Sequence, residues 1–266
     1  MSRVSPLDYI FALGEIRSLE KFLIKEEVFA EAIEASLAEA LRLFSEANLY
    51  SDELLHIKNS QQLETILNQE LSNLKKFIRE LILDKELLCL VEMESLAGVY
   101  STCLSYKSEF LSDYLMYLVD MHNIKTFLRL YILGEPQDKL CPLLTCEGFL
   151  KRKDLLELYP QDLAAFLSRL EYVHRDNRTI DYAYHLGEAI QRTVKEKTFL
   201  YLEKAINDFL IQILKPAKYF TFGPEAILAY YFAKVNEINL IRMIILAKLN
   251  DVSSDSVKAR LNIVYA

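Results

Sequence analysis

Residues 22–44, FLIKEEVFAEAIEASLAEALRLF, line up with residues 149–170, FLKRKDLLELYPQDLAAFLSRL. Phe22 falls on Phe149, Lys25 on Arg152, Leu37-Ala38 on Leu163-Ala164 and Leu41 on Leu167, and the candidate helix caps Ser36 and Asp162 stand opposite each other. A second pair follows: NIKTFLRLYILG (123–134) faces NLIRMIILAKLN (239–250). The offsets, 126–127 residues early and 116 later, far exceed the period of about 34 residues typical of helix-pair solenoids. The repeating unit is therefore a small multi-helix subdomain seen twice, dividing the chain into 1–134 and 135–266.

The periodicity within each copy is helical. Ser36-Leu-Ala-Glu39 and Asn59-Ser-Gln-Gln62 read as capping boxes. The second opens a stretch with Leu63, Ile66, Leu67, Leu74, Ile78 and Leu81 on one face, the stripe of an amphipathic helix. A long helix is expected from about Lys107 to Leu133, stopped by Gly134 and Pro136. Another opens at Gly223-Pro224, with Pro at its first position, and ends at a left-handed Asn250. Ser253 caps a last short helix. With 6 Gly and 6 Pro in 266 residues there is little room for loops, and no alternating run bounded by turn signals suggests a sheet. The expected fold class is all-α, with pseudo-repeat subdomains.

Charge and composition exclude several classes. A net charge of −7 does not suit a nucleic-acid protein, which needs a concentrated basic surface. No uncharged apolar run is long enough to span a bilayer, and the N-terminus lacks a signal-peptide pattern. Direct membrane insertion is not expected. Cys89, Cys103, Cys141 and Cys146 show no metal or redox spacing and read as reduced core thiols of a cytoplasmic protein.

Catalytic signatures are scarce. Phosphate loops, HExxH and GxSxG elbows are absent. Glu53-Leu-Leu-His56 and Glu171-Tyr-Val-His174 are both Glu-x-x-His, the spacing used by di-metal sites in helical bundles. Both pairs fall at element ends, where a His serves a helix dipole, whereas di-metal ligands sit mid-bundle. No catalytic residue, cofactor or metal is therefore assigned. A ferritin-like di-metal oxidase and a generic helical scaffold are the competing readings.

The stretch FGPEAILAYYFAKVNEINLIRMIILAKLNDVSSDSVKARL (222–261) carries more than periodicity. Gly223-Pro224-Glu225, Ala229-Tyr230, Ala233-Lys234, Asn239, Arg242 and Lys248-Leu249-Asn250 resemble the C-terminal signature of the C subunits of V/A-type (vacuolar/archaeal-type) rotary ATPases, known as the d subunits in eukaryotes. Asp120-Met-His-Asn123-Ile-Lys125-Thr126-Phe-Leu-Arg129 is similar to the family's internal form of that motif. Tyr9, Arg17 and Leu19-Glu20 resemble its N-terminal helix. The chain departs from the family in showing the Asn motif twice rather than three times. Either one repeat is absent, or it has diverged within 46–110.

The resemblance implies a non-catalytic central-axis subunit with a funnel-like helical shape. Such a subunit rests peripherally on the cytoplasmic face of the membrane rotor ring and holds the central-shaft subunits, coupling rotation to proton or sodium transport. Asn123, Lys125, Arg129, Lys234, Asn239, Arg242 and Lys248 are the motif positions, each open to two readings: interhelix packing or shaft contact.

Overall fold

The computed structural model describes residues 4–47, 52–92, 108–159, 161–175 and 178–266. These are almost wholly helical, and they divide into two compact units: residues 1–92 with 211–266, and residues 93–210.

In the first unit, α1 (Ile10–Glu20), α2 (Glu26–Glu34), α3 (Leu37–Ala47), α4 (Ser60–Leu81) and α5 (Leu88–Glu92) come from the N-terminal part of the chain. The second unit begins its described part with α6 (Glu109–Leu133), followed by α7 (Arg152–Leu158) and α8 (Leu163–Glu171). A hairpin of β1 (Val173–Arg175) and β2 (Arg178–Ile180) follows, then α9 (Tyr182–Glu196) and α10 (Leu200–Leu214), in which the division between units falls. Finally α11 (Glu225–Leu249) and α12 (Ser254–Lys258) rejoin the first unit.

The helix boundaries follow local chemistry. α4 starts where Asn59 Oδ1 accepts the Gln62 N–H at 2.9 Å, while Gln62 reaches back to the Lys58 N–H at 2.8 Å. Its stripe of Leu63, Leu67, Leu74 and Ile78 is buried. α3 uses half of its expected box: Ser36 Oγ accepts from Glu39 N–H at 3.3 Å, but the Glu39 carboxylate bonds Arg42 instead. The long α6 is capped by Ser108 and stopped by Gly134, whose φ of 67° is open to glycine at little cost.

α11 departs from expectation at both ends. Pro224 occupies the N-cap rather than the first helical position, and Asn250 keeps a negative φ while Asp251, at 53°, takes the left-handed turn. The hairpin was not legible, because three-residue strands are too short for alternation to stand out. Its pairing sets Val173 against Ile180. Cys89, Cys141 and Cys146 are half-buried rather than core residues, and Cys103 lies outside the described residues.

α6 and α11 are both 25 residues long, and their ends differ by the same 116 residues as the motif alignment. Each buries residues on several sides, and α6 leaves His122, Arg129 and Leu133 exposed. α11 packs on α2, α3 and α4, and α6 meets the start of α7 and the aromatic residues of α7–α8. On the proposed repeat division, the long helix closing one copy thus packs against the helix pair opening the other. This exchange is why the compact units are cut differently from 1–134 and 135–266. A sequence repeat and a packed unit are different divisions, and the repeat boundary stands as a proposal.

Candidate functional site

The motif residues of α6 begin with a buried polar hub. Asp120 is fully buried; its carboxylate accepts from Phe149 N–H at 2.9 Å, from Leu150 N–H at 3.1 Å and from the Tyr182 hydroxyl at 2.6 Å. Burial pushes the carboxyl up to about 7, against the pull of these donors and of Arg175. A side chain at Gly148 would collide with this carboxylate, so the close approach requires glycine. One turn on, Asn123 is also buried, donating to the Cys146 carbonyl at 2.9 Å and accepting from Thr145 N–H at 3.2 Å. Together they satisfy the backbone of a loop that could not otherwise be buried.

Lys125 and Arg129 are placed differently. Lys125 reaches Glu203 at 3.2 Å on the surface, and Arg129 lies 5.4 Å over the Phe199 ring. His122, exposed on the same face, is held below the usual imidazole range by partial desolvation of its ring and by its two cationic neighbours.

The α11 motif residues are engaged within the first unit. Lys234 is paired with Glu237, whose carboxylate also accepts the Ile24 N–H at 2.7 Å, just ahead of α2. Arg242 bonds the Glu64 carboxylate on α4 through Nε at 3.1 Å and Asn239 through Nη1 at 2.6 Å. Lys248 donates to the carbonyls of Ile33, at 2.9 Å, and Ala35, closing the C-terminal end of α2. Burial lowers its basicity while Glu34 partly restores it.

The N-terminal motif follows suit. Tyr9 donates to Asp84 at 2.7 Å and accepts from the Leu83 and Asp84 N–H groups; burial raises its phenol well above the usual range. Arg17 bonds the carbonyls of Ala217 and Phe220 at 3.0 and 2.8 Å.

Neither Glu-x-x-His pair lies inside a long helix. His56 ends a short 3-10 turn (Asp52–His56), and His174 sits in β1, its Nδ1 2.8 Å from Thr179 Oγ1. Among the described residues, no three His, Cys, Asp or Glu side chains cluster as metal ligands.

The family model described as ATP synthase (C/AC39) subunit matches residues 94–260, well over half of the chain. The chain belongs to this family. It is similar to the C subunit of the V-type sodium ATPase of Enterococcus hirae, at 24% identity over 182 residues. That match covers 65% of this chain and 53% of the relative, so the chain spans about half the length of the curated protein it matches. No described helix of this C/AC39 member is long and apolar enough to cross a membrane.

Sequence reasoning gave no role to Asp120 or Glu237, and missed Glu64 and Tyr182 as partners. For the first two there was a usable signal: a carboxylate inside an otherwise apolar helix needs donors brought to it. Glu64 and Tyr182 carried no such mark, because their partners lie far away in sequence.

Proposed function

We propose that this C/AC39 family member is a non-catalytic central-axis subunit of a V/A-type rotary ATPase. It couples the rotating shaft to the membrane rotor ring and rests peripherally on the ring's cytoplasmic face, without inserting in the bilayer. The observation that carries this reading is the family match over 94–260, which includes both long motif helices.

The division of labour among the motif residues supports a torque-bearing part. Asn123, Lys234, Asn239, Arg242 and Lys248 each bond to side chains or backbone of their own unit, which stiffens the interlock between helices. We assign these five to packing; Lys125, although it bonds Glu203 of its own unit, and Arg129, over the Phe199 ring, share a face of α6 with the exposed Leu133 and are assigned to contact.

The test is affinity purification of the tagged chain from native membranes, with ion pumping measured in a deletion strain. Recovery of shaft and ring subunits together with lost pumping is expected. Recovery of neither, with pumping intact, means the chain does not couple shaft to ring.

A further inference from the structure

α6 and α11 share length and register, but one face of each is treated in opposite ways. Ile238, Ile241 and Ile245 of α11 are buried. At the aligned positions α6 has His122, Lys125 and Arg129, of which His122 and Arg129 are exposed and the Lys125 side chain is 28% exposed. Leu133, 72% exposed, extends this strip by another turn. The strip runs 11 residues along one helix face, about 16 Å.

α11 is packed by α1, α2, α3 and α4. α4 packs along α11 with buried leucines and supplies Glu64 to Arg242. On α6 the corresponding face carries the cations itself and meets the start of α10, where Phe199 lies under Arg129 and Glu203 bonds Lys125. Among the described residues the only carboxylate bonded to the strip is Glu203, on Lys125, and Arg129 has no described carboxylate partner. Protonation of His122 is disfavoured by partial burial first, and then by Lys125 and Arg129. Three cationic or basic groups at i, i+3 and i+7, ending in an exposed leucine, complement a helix with carboxylates at the same spacing and one apolar anchor.

We infer that the His122–Lys125–Arg129–Leu133 face of α6 is a docking surface for an acidic amphipathic helix of a partner protein. The pairing follows the pattern of Arg242 and Glu64, with the cation on the long helix and the carboxylate on the helix packed against it. The surface is argued from α6 itself; naming that helix as part of the central shaft rests on the proposed coupling role.

A photo-cross-linking amino acid is placed at Leu133 in the full chain, expressed in its native cells, and cross-linked peptides are identified by mass spectrometry. The expected product is a peptide from another protein with acidic residues at helical spacing. Its yield should fall about tenfold or more in Lys125→Glu/Arg129→Glu, hold in Lys125→Arg/Arg129→Lys, and decline as salt rises. The milder Lys125→Ala/Arg129→Ala, checked by thermal melting, keeps the test open if charge reversal disturbs folding.

Cross-links to residues 93–107 of the same chain, to a second copy, or to nothing overturn the inference. So does a yield indifferent to both charge variants. An acidic helix from a protein outside the ATPase upholds the surface and sinks the coupling role. Recovery of shaft and ring subunits without any cross-link at Leu133 does the reverse.

Discussion

At the scale of single residues, Asp120 is the most consequential group in the second unit. Its folded carboxyl lies at about 7, above the ordinary carboxylate range, because burial outweighs three donors and Arg175. A group whose folded value is raised binds its proton more tightly in the fold. Its contribution to stability is therefore present at acidic pH and is lost as pH rises from about 4 through about 7. Asp120→Asn removes the titration while keeping one acceptor for the loop N–H groups, at a cost of about 1–3 kcal/mol. Melting temperature measured against pH should fall across that window in the parent chain and run flatter in the variant. Identical slopes would show that Asp120 does not carry the effect. Lys248 makes a second residue-level case. Lys248→Met leaves the Ile33 and Ala35 carbonyls without its ammonium, and a loss of about 1–3 kcal/mol is expected in denaturant melts. A variant that melts like the parent but fails to bind shaft subunits would make Lys248 a contact residue instead.

At the scale of elements, the long helices were the most legible part of the fold. The α6 stop at Gly134 and the α4 start at Asn59 could be read because single residues with special backbone or capping chemistry mark them. Gly134→Ala tests the first directly. An alanine at φ 67° costs about 1 kcal/mol or more, since its Cβ crowds the backbone in the left-handed region. Equilibrium unfolding should show that loss without a change in helix content, and an unchanged midpoint would mean the turn relaxes. What could not be read was partnership. The α11 motif looks like a run of charges in an apolar helix, yet Glu237 meets a backbone group ahead of α2 and Arg242 meets a side chain on α4. Sequence periodicity reports which face is buried, not what buries it. For the same reason the partners of Lys125 and Arg242 were invisible: both are single cations in similar motifs, one paired with Glu203 of α10 and the other with Glu64 of α4, each far away in sequence.

At the scale of the whole molecule, the first unit is built from two distant stretches of chain, and its stability depends on how they are fastened. α11 reaches α2 through Glu237 at one end and Lys248 at the other, and it reaches α4 through Arg242. α6 belongs to the other unit and uses its own buried carboxylate, Asp120, for the equivalent attachment to the start of α7. If these attachments define cooperative units, breaking one should loosen both stretches it joins while sparing the other unit. Glu237→Leu removes the acceptor of Ile24 N–H and the carboxylate beside Lys234, which should cost about 3–5 kcal/mol, as expected when one partner of a buried ion pair is lost. Hydrogen exchange followed by mass spectrometry should then show α2 and α11 losing protection together, with α6 protected as in the parent chain. Loss confined to α11 would mean that the N-terminal helices hold without it, and loss reaching α6 equally would mean that the two units unfold as one.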